Sequence, residues 1–219
     1  IMGFLNFSSK KIVLLGSGEL GKELVIESKR LGLEVIAIDK YDNAPAMQLA
    51  DHSFVIDMND KNILKQTIKK IKPDFVVPEI EALSIEALKE LEEEGLKIVP
   101  NARTIEITMN RNKIRDLASN ELKIKTAKFN YVFNYDDLEK KSFEIGFPLL
   151  IKPLMSSSGK GQNLVKIKED LLNAWNDALH NSRGKIFGVI IEEFIEFDYE
   201  FTLLTVRRDN GENVFCEPI

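Results

Sequence analysis

The chain has 219 residues, with 30 lysines and arginines against 35 aspartates and glutamates, giving a formal charge of −5. A composition of 44% hydrophobic and 30% charged residues is that of a globular protein and excludes wholesale disorder; the acidic balance leaves no electrostatic footprint for nonspecific nucleic-acid binding. The single cysteine, Cys216, cannot form an internal disulfide, and no apolar run approaches the ~20 residues that span a bilayer, so the expectation is a soluble cytoplasmic protein of one large or two small domains.

Strand-like and helix-like segments alternate through the first half. Lys11 to Leu15 is a short apolar strand that runs into Gly16-Ser17-Gly18-Glu19-Leu20-Gly21 and then a helix to about Leu31, stopped by Gly32. Val35 to Asp39, Ser53 to Ile56 and Phe75 to Val77 read as the next strands. Between the last two, Ile63, Leu64, Thr67 and Ile68 fall at helical spacing within Asn59 to Lys70. Ile85 to Leu91 is a further helix and Lys97 to Val99 a fifth strand. This alternation predicts βαβ units around a parallel sheet.

The pattern changes near residue 121. Met109 to Leu117 reads as a basic helix, followed by strands at Lys125 to Phe133 and Pro148 to Lys152 around a helix from Asp136 to Phe143. A small, polar stretch from Met155 to Gln162 leads to a strand at Val165 to Ile167 and a helix from Glu169 to about Leu179. Val189 to Ile195 and Phe201 to Val206 are strands, the second turning at Asp209-Asn210-Gly211 into a hairpin with Val214 to Cys216.

Three motifs carry chemistry. The glycine loop after the first strand opens a helix, and Asp39 ends the next strand about 20 residues on, as a dinucleotide site requires. Read alone, it is either a ligand loop or a plain strand-to-helix connection. Lys152-Pro153 at a strand end, followed by Ser156-Ser157-Ser158-Gly159-Lys160-Gly161-Gln162, suits polyphosphate: fixed ammonium charge, hydroxyl and amide donors, and glycines for close approach. Glu79 and Glu81 follow the fourth strand, at the end of an α/β sheet where ligands bind. Glu192-Glu193-Phe194-Ile195 and Asp198-Tyr199-Glu200, by themselves, read as a solvated edge. Neither a metal-ligand spacing nor a Ser/His/Asp constellation is evident, and no catalytic residue is assigned.

GSGELGKE, APAM, VPEIEA, LEEEGL, TMNR, KPLMSSSGKGQ and FDYEFTLLTV occur in order from about residue 11 onward. Together they resemble the formate-dependent phosphoribosylglycinamide formyltransferases of the ATP-grasp superfamily. The resemblance implies an α/β chain: a Rossmann-like pre-ATP-grasp sheet over residues 1–120, a first ATP-grasp subdomain over 121–188, and an incomplete second subdomain opening at 189–219. Glu19, Leu20 and Glu79 then match substrate-binding positions. Arg111, Lys152, Ser157, Ser158, Gly159, Lys160, Gly161 and Gln162 match positions around the ATP phosphates. Glu192, Glu193, Phe194 and Ile195 match the strand that reads adenine, and Glu200 the acid that takes the ribose hydroxyls. The resemblance also implies ATP and Mg²⁺, with the acidic metal ligands in a C-terminal part not present in this sequence, formate and phosphoribosylglycinamide as substrates, and a homodimer that binds neither nucleic acid nor membrane. The rivals are an ATP-dependent carboxylase of aminoimidazole ribonucleotide, an NAD-linked oxidoreductase built on the glycine loop and Asp39, and a noncatalytic nucleotide-binding fragment.

Overall fold

A computed structural model describes residues 9–80, 82–155, 159–182, 187–208 and 210–219. The chain divides into two compact units, one drawn from Ile1–Lys125, Leu154–Ser158 and Ser182–Phe187, the other from Thr126–Pro153, Gly159–Asn181 and Gly188–Ile219.

The first unit is built on five parallel strands: β1 (Lys11–Leu15), β2 (Glu34–Asp39), β3 (His52–Val55), β4 (Phe75–Pro78) and β5 (Lys97–Ile98). Their spatial order is β3-β2-β1-β4-β5. Strand β1 is apolar at consecutive positions because helices cover both faces of the sheet. Val13 and Leu15 face one core with α2 (Lys61–Ile71), α3 (Ile85–Glu93) and α4 (Ala102–Met109), while Ile12 and Leu14 face a second core with α1 (Glu19–Arg30). Short polar side chains start three of these helices: Asp60 accepts from the Asn62 and Ile63 amides, Ser84 from Ala87 and Asn101 from Thr104. Helix α1 begins instead at Gly18, whose side brings no such acceptor.

Helices α2 and α3 run parallel, and the lysines of one meet the glutamates of the other at a constant offset. Lys61 pairs with Glu86 and Glu90 at 2.7 and 2.6 Å, Lys65 with Glu90 and Glu94, and Lys69 with Glu94 at 2.7 Å. Hydrogen bonds from Lys61 and Lys65 pull the Glu90 carboxyl down to about 2, while hydrogen bonds to Glu86 and Glu90 raise Lys61 and those to Glu90 and Glu94 raise Lys65.

The sequence predicts one helix from Met109 to Leu117. The structure instead ends α4 at Met109, sets Asn110 in an extended conformation and starts α5 (Arg111–Asp116), followed by a single π-type turn over Leu117–Glu121. The physical reason is Asn110: its side-chain amide donates to the Glu106 carbonyl at 2.7 Å, closing the earlier helix rather than continuing it.

The second unit holds a four-stranded sheet in the order β6-β9-β7-β8, from β6 (Phe129–Val132), β7 (Leu149–Pro153), β8 (Asn163–Val165) and β9 (Val189–Glu193), all antiparallel pairs. The strand expected from Val189 onward is present, but it lies between β6 and β7 rather than opening a separate sheet. Helices α6 (Tyr135–Ile145) and α7 (Leu171–His180) cover one face through Leu138, Leu171, Ala174, Trp175 and Ala178. The expected hairpin follows as β10 (Thr205–Arg207) and β11 (Asn213–Phe215), with Asp209 of its turn outside the described residues. The strand predicted from Phe201 is shorter than expected, although its ladder is continued by the Cys216 amide on the Leu204 carbonyl and by a reciprocal pair between Thr202 and Ile219.

Candidate functional site

In the first unit, strand order reverses at β1: β2 lies on one side and β4 on the other. Open α/β sheets bind ligands beyond the strand ends at such a reversal. Two sequence-predicted segments meet there. The glycine loop leaves β1, and Glu79 leaves β4, with Leu15 and Pro78 side by side in register. The Glu79 and Ile80 amides both donate to the Leu15 carbonyl, at 2.8 and 3.3 Å. Gly16 takes φ +97°, and a Cβ on it would stand 2.8 Å from Ile80 Cβ and 2.9 Å from a Glu79 carboxylate oxygen. The glycine is therefore required twice, for its backbone angle and for the room it leaves Glu79. Glu19 and Leu20 form the exposed first turn of α1, with Leu20 74% exposed. The unpaired amides of a helix start favour an anionic group. Glu81 lies outside the described residues.

Asp39 behaves differently from the acid of a dinucleotide site. It is 2% exposed, and its two oxygens accept the Ser17 and Lys40 amides, each at 2.7 Å. Ser17, fully buried, also donates its hydroxyl to the Ile38 carbonyl at 3.1 Å. The carboxylate that would take ribose hydroxyls in an NAD site is turned inward and engaged with backbone.

In the second unit, Lys152 on β7 and Glu192 on β9 form an ion pair on the sheet face opposite α6 and α7, with side chains 18% and 5% exposed. The loop that follows β7 includes Ser156, Ser157 and Ser158, which lie outside the described residues; two glycines shape the residues that follow. Gly159 and Gly161 have φ of +70° and +71°, and the Gln162 amide closes a turn on the Gly159 carbonyl. A Cβ on Gly161 would meet Pro153 at 2.8 Å, Asn181 at 3.0 Å and the Ala178 backbone at 3.2 Å. Asn163 donates to the Gly161 carbonyl at 3.2 Å and to the Asp177 carboxylate at 2.8 Å, while Asn181 donates to the other Asp177 oxygen at 3.0 Å. This Asn163–Asp177–Asn181 clamp escaped the sequence reading. Its only local signal is the Asp-Asn pair four residues apart at the end of α7. Lys160 and Gln162 are exposed beside it.

At the end of β9, the Glu193 amide donates to the Lys128 carbonyl and the Phe194 amide to Pro148, while the Glu193 carboxylate accepts the Lys128 amide at 2.7 Å. Beyond it, Phe194 to Asp198 line an open recess of about 590 Å³. Ile195 and Glu200 are exposed, Glu200 within the stretch where the Tyr199 and Phe201 rings stack at 6.3 Å. Arg111 belongs to the first unit, half-buried at the start of α5, its amide on the Leu154 carbonyl at 3.3 Å. Among the described residues, no group of three or more His, Cys, Asp or Glu side chains could hold a metal ion, and no helix is long and apolar enough to cross a membrane.

Residues 9–109 match the ribonucleotide synthetase preATP-grasp domain and residues 117–219 the ATP-grasp domain, so the class is that of an α/β ribonucleotide synthetase-type chain with both domains in order. The formate-dependent phosphoribosylglycinamide formyltransferase of Prochlorococcus marinus subsp. pastoris is 80% identical over 218 residues, which is 100% of this chain and 56% of that protein. The structure of glycinamide-RNase-transformylase T from Mycobacterium tuberculosis is 33% identical with a TM-score of 0.74, over 95% of this chain and 56% of that one. N5-carboxyaminoimidazole ribonucleotide synthetase from Thermotoga maritima is 27% identical with a TM-score of 0.77, over 95% of this chain and 53% of that one. The backbone is thus similar to both structures, with the higher sequence identity to the first. The chain joins a preATP-grasp domain to an ATP-grasp domain and is similar throughout to the formate-dependent phosphoribosylglycinamide formyltransferases, spanning about half the length of the curated relatives it matches.

Proposed function

We propose that this chain carries the ribonucleotide-binding domain and the opening part of the ATP-grasp domain of an enzyme that formylates phosphoribosylglycinamide with ATP and formate. The observation that carries this reading is the strand-order reversal, where the Glu79 carboxylate stands against Gly16 while Asp39 is turned away. A site of that kind offers an acid to an amine or hydroxyl and helix-start amides to an anion. It does not offer the diol-binding acid an NAD-linked enzyme needs. Identity of 80% to a formyltransferase against 27% to a carboxylase supports formate over bicarbonate. The proposed division of labour places the boundary between the two domains near residue 120.

In this reading Glu19, Leu20 and Glu79 hold the ribonucleotide. Arg111, Lys152, Lys160, Gln162 and the loop from Ser157 to Gly161 neutralise the phosphates of ATP. Lys152 arrives already oriented by Glu192. The Glu193 and Phe194 amides are engaged within the sheet, so the amide that reads adenine comes from Ile195, beside the recess; Glu200 takes the ribose hydroxyls. Transfer of the γ-phosphoryl group to formate gives formyl phosphate and ADP. The glycinamide amine then attacks the formyl carbon and phosphate leaves. These side chains align the reactants and screen charge as the reaction proceeds. Mg²⁺ would add charge neutralisation; among the described residues no group of three or more His, Cys, Asp or Glu side chains gathers to hold it. A homodimer in the cytoplasm belongs to the same proposal.

The test is ADP release by a protein carrying this chain at the length of its relatives, with phosphoribosylglycinamide and either formate or bicarbonate. Dependence on formate supports the reading, and dependence on bicarbonate replaces it with the carboxylase. Glu79→Gln is expected to weaken the ribonucleotide about tenfold or more while leaving ATP within about twofold, the loss of one charge-assisted contact. Equal losses for both substrates would remove Glu79 from the ribonucleotide site.

A further inference from the structure

Asp39 carries a role that neither the motif spacing nor the proposed contacts assign. A carboxylate 2% exposed is costly to bury unless its oxygens are matched by donors. Here the match is made by two backbone amides from two different segments, Ser17 in the glycine loop and Lys40 just after β2. The loop is fixed from other sides as well. The Gly16 amide donates to the Ile38 carbonyl at 2.9 Å, the Ser17 hydroxyl to the same carbonyl, and the Ser17 carbonyl accepts the Ala46 amide at 3.0 Å. Gly21 closes the arrangement, since a Cβ there would stand 3.0 Å from the Gly16 carbonyl. Of these contacts only the Asp39 pair is charged, and charge-assisted hydrogen bonds are about twice as strong as neutral ones.

We propose that Asp39 is a positioning residue for the ribonucleotide: by accepting the Ser17 and Lys40 amides it holds the glycine loop where Gly16 admits Glu79 and the first turn of α1 faces the substrate. The inference rests on the proposed function of that site. It also makes Asp39 a specificity device, because a carboxylate 2% exposed and turned toward the backbone presents almost no surface to a dinucleotide ribose. Substitution by asparagine keeps one acceptor oxygen and turns a donor toward the second amide. Alanine removes both acceptors. The effect is therefore graded, alanine beyond asparagine, and confined to ligands of this loop.

The experiment uses the 219-residue chain, isotope-labelled, with phosphoribosylglycinamide added while backbone amide resonances are followed. In the wild type, the Gly16 to Gly21 amides are expected to shift as ligand is added. In Asp39→Asn, the Ser17 and Lys40 amides should exchange with solvent faster, and about tenfold more ligand should be needed for the same shift, with a larger loss in Asp39→Ala. Resonances of β6 to β9 should stay in place in both variants. Nicotinamide dinucleotide, titrated in parallel, should leave the wild-type loop unmoved. A wild type whose loop ignores phosphoribosylglycinamide overturns the substrate reading of the site. A wild type that responds, with Asp39→Asn binding equally well despite freely exchanging Ser17 and Lys40 amides, overturns the role of Asp39 alone. Loss of the β1 and β4 amide signals in both variants would assign Asp39 to folding and also overturn the proposal.

Discussion

The first unit and the last 25 residues of the second use the same apolar residue types to opposite effect. In the first, Val13, Leu14, Leu15, Ala37 and Ile38 are wholly buried, and helices cover both faces of their sheet. From Ile195 to the end, Phe197, Tyr199, Phe201, Leu204, Val206 and Phe215 are all more than half exposed, and the hairpin is held by its backbone ladder. Burial of apolar area stabilises a fold by ~25 cal/mol per Å², so residue type by itself says little about what holds each region together.

Substitutions sharpen that contrast. Leu15→Ala, in the centre of the sheet, is expected to lower unfolding free energy by about 2–5 kcal/mol in a denaturant titration. Gly16→Ala should follow at about 1–3 kcal/mol, because its backbone angle is positive and its Cβ meets Ile80 and Glu79. Gly159→Ala, with a positive angle but only a 3.8 Å contact to Gln162, should cost about 1 kcal/mol. A loss at Gly159 as large as at Gly16 would show that backbone angle, rather than the close approach of Glu79, governs both.

A smaller effect belongs to the lysine–glutamate ladder. The Glu90 carboxyl is depressed from 4.5 to about 2 in the fold, so its contribution is present above about 4.5 and lost as the pH falls toward about 2. The difference in melting temperature between wild type and Lys65→Gln should therefore shrink over that window, and shrink with added salt at neutral pH. The smallest effect is at the hairpin: Phe201→Ser should change stability by no more than about 0.5 kcal/mol, read by the same denaturant titration.

Much of the first unit was legible because its signals are local. Lys11 to Leu15 forms the strand as read, and Asp60, Ser84 and Asn101 cap helices near the positions where periodicity starts. The less legible features depend on partners far along the chain. Spacing placed Asp39 correctly at a strand end but could not say which way its carboxylate turns; that is decided by the Ser17 amide 22 residues earlier. The Asn163–Asp177–Asn181 clamp depends on helix α7 returning to the loop, which no window around Gly161 contains. Asn110 misled for a local reason: an asparagine inside an otherwise helical pattern can continue a helix or close it, and here it bonds back to Glu106.

The position of β9 has a consequence for the timing of synthesis. Strand β6 is an edge strand whose partner in the sheet is β9, and β7 depends on the same strand for its inner edge. The strands of the five-stranded parallel sheet are all made by Ile98 and its covering helix α4 by Met109, whereas the second sheet cannot assemble until Glu193 has left the ribosome. At roughly 5–20 residues per second, β6 waits several seconds for its neighbour while the first sheet is already complete. A growing chain thus exposes Phe129 and Tyr131 during that interval, and a stall in translation between α7 and β9 would prolong the exposure more than a stall anywhere in the first hundred residues.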